Sequence, residues 1–125
     1  MSELRKDQRF IIEMGMGNDQ YGQDYTKAAA RAIEDAIRHS AIPMFAATGL
    51  PSDEMRVQVT VAVQKPEDVD TEALRAKLPR GQASVTATHG GLNVVNDETG
   101  ATLVIATAAV EAFVPRQTKW RLKGG

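Results

Sequence analysis

The stretch Thr102-Leu-Val-Ile-Ala-Thr-Ala-Ala-Val-Glu-Ala-Phe-Val114 decides the fold of this chain. In an extended conformation its side chains alternate between two faces. One face carries Leu103, Ile105, Ala109 and Phe113, and the other carries Val104, Ala106, Ala108, Val110, Ala112 and Val114. A strand that is apolar on both faces is covered on both. We therefore expect residues 102–114 to form the central strand of a sheet.

The flanking patterns supply the other elements. Strict alternation predicts a strand over residues 55–64, and shorter apolar runs predict strands at 10–14 and 82–88, the last resuming at 92–95. Asp24 caps a helix with apolar residues at helical spacing, and Asp70 caps a second, short helix. The order β-α-β-α-β-β predicts an α+β two-layer sandwich, a mixed sheet with both helices on one face.

Composition limits the organisation and the chemistry of the chain. Its 125 residues predict one domain at 10–115, with a flexible N-terminus at 1–9 and a basic mobile tail at 116–125. A net charge of −1 argues against a general polyanion binder, so nucleic acid is an unlikely partner, reached at most through the tail. The absence of cysteine excludes disulfides and Cys-ligated zinc, and we expect no metal and no cofactor. No apolar run is long enough to span a membrane and no signal peptide is evident, so the expected location is cytoplasmic.

The core is expected to be thin. Only 5% of the residues are aromatic and alanine is abundant, so many apolar positions bury little volume. The predicted helices cover one face of the sheet, which leaves the second apolar face of residues 102–114 uncovered. A soluble monomer rarely exposes such a patch. We therefore expect the chain to bind itself, most simply as a trimer.

A glycine-rich segment between the first strand and the first helix is the first candidate site. Backbone N–H groups gather at a helix N-terminus, and we expect Gly15, Gly17 and Gly22 to shape a loop there. Asp19 and Asp24 favour a ligand with donor groups, or a hard cation between the carboxylates and a substrate, while Lys27 supplies a charge or a base. The alternative is structural: a tight turn, a cap and a solvated lysine.

A second candidate lies in the break of the strand at 82–95. His89 stands beside Gly90 and Gly91. The glycines allow the backbone to lie close to a ligand, and the imidazole can contact that ligand. An exposed loop histidine explains the same pattern. The spacing does not support a zinc site built on His39 and His89.

The run Ile12–Asp24 with the helix after it resembles the Lin-type family of conserved hypothetical proteins, a domain of unknown function found in bacteria and plants. The family signature is Gly-x-Gly-x-Asp-x-His-Gly. Gly15, Gly17, Asp19 and Gly22 match it, and Tyr21 stands in place of the histidine. The resemblance covers residues 10–114 and implies no activity. Lys27 and the turn at 88–91 are faintly similar to cyclic-amide ring-opening hydrolases, which implies threefold architecture.

Two functional hypotheses follow. In the first, a homo-oligomer binds a small polar or cyclic-amide-like metabolite between subunits. If it is an enzyme, which the sequence leaves open, Asp19 or His89 transfers the proton and Lys27 stabilises charge. In the second, the chain is a non-catalytic assembly or regulatory module and the glycine-rich segment is an interface turn. Neither the substrate, the reaction nor the strand order can be predicted.

Overall fold

The computed structural model describes residues 7–38, 56–78 and 82–115. The strands are β1 (Asp7–Asp19), β2 (Arg56–Val63), β3 (Gln82–His89), β4 (Leu92–Val95) and β5 (Thr102–Pro115); the helices are α1 (Tyr25–Arg38), a 3-10 turn (Pro66–Asp68) and α2 (Thr71–Ala76). The predicted α+β class is confirmed. Strand β1 begins at Asp7, inside the segment expected to be flexible, and the predicted tail lies outside the described residues.

Strand β5 is the centre of the sheet, as its two apolar faces predict. The order is β1-β5-β2-β3, with β4 also paired to β5. β1 runs antiparallel to β5 along almost its whole length, and the other side of β5 is shared by β2 and β4. β2 and β3 are parallel, so the sheet is mixed. Sequence analysis treated residues 82–95 as one interrupted strand; they are two strands with different neighbours.

The core lies between the helices and one face of the sheet, which we call the helix face. α1 buries alanines on this face, and β2 buries every second residue from Val57 to Val63. Leu74 of α2 belongs to the same cluster. The small helix residues and the β-branched strand residues suit a close contact between the two layers.

Gly15 and Gly17 are not in a loop, and this prediction was wrong. Strand β1 continues through both of them to Asp19. Both glycines face α1: a Cβ on Gly15 would overlap with the backbone of Ala32 and Ala36, and one on Gly17 would lie 2.6 Å from the carbonyl oxygen of Ala28. These glycines let the helix approach the strand, and they are not part of a ligand-binding loop.

Gly90 and Gly91 mark the point where the chain leaves β3 to pair with β5. The Gly90 N–H donates to the Val63 carbonyl at 2.9 Å, where β2 ends. Gly91 has a φ of +63°, and a Cβ there would lie 2.9 Å from the Ala62 carbonyl oxygen. The Gln64 amide donates to both glycine carbonyls, at 2.9 and 3.2 Å. The backbone path itself therefore requires these glycines.

Candidate functional site

The junction of β1 and α1 holds a buried carboxylate. Asp19 is 3% exposed, and its Oδ2 accepts a hydrogen bond from the Asp24 backbone N–H at 2.9 Å. Its Oδ1 lies 3.9 Å from Lys27 Nζ and 3.7 Å from an Arg31 guanidinium nitrogen. A buried charge is tolerated when it is paired and hydrogen-bonded, and Asp19 is both.

The turn before α1 is closed by Asp24. Its side chain accepts from the Lys27 N–H at 3.0 Å, and its carbonyl accepts from the Ala28 N–H at 3.1 Å, so the predicted N-cap is confirmed. Gly22 and Gln23 both have positive φ, of +86° and +50°. Glycine is the residue that takes this backbone most readily, so Gly22 belongs to the turn.

The structure therefore brings Asp19, Asp24 and Lys27 together, and it adds Arg31, which sequence analysis missed. Arg31 is four residues after Lys27 on the same face of α1, and this spacing could have identified it. Arg31 also donates to the Asn18 carbonyl oxygen at 2.7 Å. The carboxylates of Asp19 and Asp24 both contact donors of their own chain. This favours the alternative in which the segment is a structural turn with a helix cap.

His89 does not join this cluster within one chain. It is an exposed residue at the end of β3, paired with Val63. The register places its neighbour Thr88 in one row with Ala62, Thr107 and Met16, three strand spacings from β1. At about 4.8 Å per spacing, roughly 14 Å separates the backbones of Thr88 and Met16. Within one copy His89 is therefore far from Asp19 and Lys27, and a site that these residues share between subunits stays a prediction.

A second polar contact beneath the start of α1 was also missed. The Asn93 side-chain amide donates to the Tyr25 hydroxyl at 2.7 Å, and Tyr25 is 6% exposed. The Oδ1 atom of Asn93 is buried and has no hydrogen-bond partner among the described residues.

In the part of the chain that the structure describes, no group of three or more acidic or histidine side chains is placed to hold a metal ion.

A shallow groove of about 470 Å³ lies between the turn after β1 and the β4–β5 hairpin. Tyr21 lines one wall and is 81% exposed. Val94 and Leu103 supply apolar surface, while Gln20 and Thr99 supply polar groups. This mixture suits a small uncharged or weakly polar molecule.

The sheet face that points away from the helices, here called the outer face, is apolar and open. The alternation of β1 and β4 places five large apolar side chains there, all 44–73% exposed: Ile12, Met14, Met16, Leu92 and Val94. They flank the outward residues of β5, the strand for which the sequence predicts an uncovered apolar face. No helix among the described residues is both long and apolar enough to cross a membrane.

Comparison with known proteins agrees with this fold. The chain is similar to a crystal structure from Nostoc punctiforme, described as an FtsZ-like protein of unknown function, with 41% identity and a TM-score of 0.76. The match covers 88% of this chain and 98% of that one. A search of curated proteins gave no match. The model of the family described as "Conserved hypothetical protein (Lin0512_fam)" matches residues 9–112, and the chain therefore belongs to this family of conserved hypothetical proteins.

Proposed function

We propose that this protein is an assembly module that works as a homo-oligomer, with its copies packed through the outer face. The observation that carries the proposal is the exposure of Met14 (73%) and Met16 (61%) in the middle of an apolar sheet face. Apolar patches of this kind on soluble proteins are usually covered by a partner. A second copy of the chain is the partner that is always present.

The size of the outer face supports this occupant. Four strands in the main order give a width of about 19 Å at roughly 4.8 Å per strand. The strands have 8 to 14 residues, or about 26 to 46 Å at roughly 3.3 Å per residue. Strands of 13, 14, 8 and 8 residues together cover roughly 680 Å², which lies within the roughly 600 to 1,000 Å² that each partner contributes to a standard stable interface.

The test is the mass of the protein in solution, measured by light scattering after size exclusion. We expect the wild type to be an oligomer and Met14→Lys/Met16→Lys to be a folded monomer, because two lysines would be buried without partners. Val95→Lys is the matched control: Val95 is 57% exposed, but alternation places it on the opposite side of the sheet from Val94. A monomeric wild type contradicts the proposal. The trimer expected from the sequence remains a prediction, and the same mass measurement tests it by giving the number of subunits.

A second candidate function is the binding of a small polar metabolite where subunits meet. It is favoured by the groove beside Tyr21, which lies next to the Asp19 turn and borders the outer face at Val94. In an oligomer a second copy would have to supply His89.

This candidate is tested by a thermal-shift screen with small polar metabolites and metal salts. Under it, Gln20→Ala and Tyr21→Ala, which change two residues that line the groove, abolish the stabilisation by the ligand and leave the oligomer mass unchanged. If both variants respond to the same ligands as the wild type does, the metabolite site is elsewhere or absent.

A further inference from the structure

The outer face is not flat, because its strands carry side chains of different size. The pairing register aligns two rows across three strands: Met14, Ala109 and Thr60 in one, and Met16, Thr107 and Ala62 in the other. Each row begins with a long side chain on β1 and continues with two small ones. We call the two methionines the ridge and the four small residues the trough.

The trough is a measurable concavity. It has a volume of about 510 Å³ and is lined by all four small residues, by both methionines and, beside Met16, by Asp35 of α1. This volume lies within the roughly 300–1,000 Å³ range of pockets that hold a whole small molecule, so it has room for two methionine side chains. Methionine is unbranched and flexible, and it fills irregular apolar gaps well.

We propose that the ridge of one copy docks into the trough of another. This inference rests on the proposed self-association and adds which residues meet. Ridge and trough lie side by side on the same face, so one surface carries both the projection and the recess that receives it. A second copy is thus the occupant whose shape matches.

The charge distribution of the outer face agrees with this contact. None of the six ridge and trough residues has an ionisable side chain. The carboxylate beside them, Asp35, accepts a hydrogen bond from the Met16 N–H at 3.0 Å and lies 3.5 Å from an Arg38 guanidinium nitrogen. Charged groups lie toward the start of β1, where Arg9 pairs with Glu111 at 3.3 Å and Arg56 stacks 4.0 Å over the Phe113 ring. An uncharged centre beside a charged rim is the usual anatomy of an interface between proteins.

The first experiment mixes two variants. A ridge variant, Met14→Lys/Met16→Lys, and a trough variant, Ala62→Glu/Ala109→Glu, each bury unpaired charge in the contact. We expect each to self-associate at least about tenfold more weakly than the wild type. Mixed together, they should form mixed oligomers, because the lysines of one then face the glutamates of the other. Native mass spectrometry identifies the mixed species.

The second experiment uses smaller changes, in case the charged variants do not fold. The chain has no cysteine, so Met16→Cys/Ala62→Cys carries the only two thiols. These residues lie in one row, two strand spacings apart, or roughly 9.6 Å between backbones. That separation exceeds the roughly 7 Å limit for a disulfide within one chain. Oxidation should therefore give covalent oligomers, and Met16→Cys/Val95→Cys, the control, should give far fewer.

The outcomes separate this inference from the proposed function. A wild type that is a monomer overturns both. If the wild type is an oligomer but the two variants do not associate on mixing and the thiols do not cross-link, only the ridge-and-trough contact is overturned. Restored mixed oligomers together with cross-links support both.

Discussion

Asp19 shows how much one side chain holds in place at the start of α1. Among the residues that the structure describes, it is the one buried charged side chain, at 3% exposure. Asp19 is the last residue of β1. Its carboxylate accepts a hydrogen bond from the Asp24 backbone N–H and lies close to the charged groups of Lys27 and Arg31 on α1. Sequence analysis selected this residue for proton transfer, but its geometry explains it as the anchor between strand and helix.

We predict that Asp19→Ala lowers the free energy of unfolding by about 2 to 3 kcal/mol, because the Asp24 N–H and Arg31 lose their buried acceptor. Lys27→Ala should cost less than about 1 kcal/mol, since that lysine side chain is 54% exposed and its ion pair is screened by water. Urea denaturation of both variants measures the difference. Equal losses would show that Asp19 is not the anchor.

At the scale of elements, the contact between β1 and α1 depends on two glycines of the strand. Gly15 and Gly17 have no side chain, so the alanines of α1 approach the strand backbone. Two longer side chains of the helix reach the strand edge: Arg31 donates to the Asn18 carbonyl, and the Met16 N–H donates to Asp35 Oδ2 at 3.0 Å. Satisfying edge groups in this way protects an edge strand against unwanted pairing.

We predict that Gly17→Ala destabilises the fold by about 3 kcal/mol, because its Cβ would meet the α1 backbone, which cannot move aside as a flexible side chain can. Gly100→Ala is the matched control. Gly100 has a φ of +74° and open space around it, so its substitution should cost only about 1 kcal/mol of backbone strain. Chemical denaturation checks both values. If Gly17→Ala costs no more than the control, the helix does not approach the strand this closely.

The same elements show what the sequence can and cannot predict. Strand β5, strand β2 and the Asp24 cap follow from local periodicity and capping, and they were predicted. The continuation of β1 was missed because glycine is typical of loops and equally suits a close helix contact; the deciding residues, Ala28 to Ala36, come more than ten positions later. The separation of His89 from Asp19 depends on strand order, which no local pattern encodes.

At the scale of the whole molecule, residues 7–38, 56–78 and 82–115 form a sheet whose helices all lie on one side. The helix face buries the core cluster, while the outer face leaves Met14, Met16 and Leu92 more than half exposed. A single copy therefore keeps in water apolar area that a second copy would remove from it. Each Å² removed contributes about 25 cal/mol, before the cost of association is subtracted. The stability of the fold should thus be coupled to assembly.

This coupling predicts that the melting temperature of the wild type rises with protein concentration, because association stabilises the folded chain by mass action. In Met14→Lys/Met16→Lys the melting temperature should be lower at high concentration and should not change on dilution. Scanning calorimetry over a dilution series, with Val95→Lys as control, measures both effects. The rise should persist in high salt, because the six ridge and trough residues carry no charge to be screened and Asp35 beside them is paired with Arg38 of its own chain. A wild-type melting temperature that is independent of concentration would mean that the outer face contributes nothing to stability through a second copy.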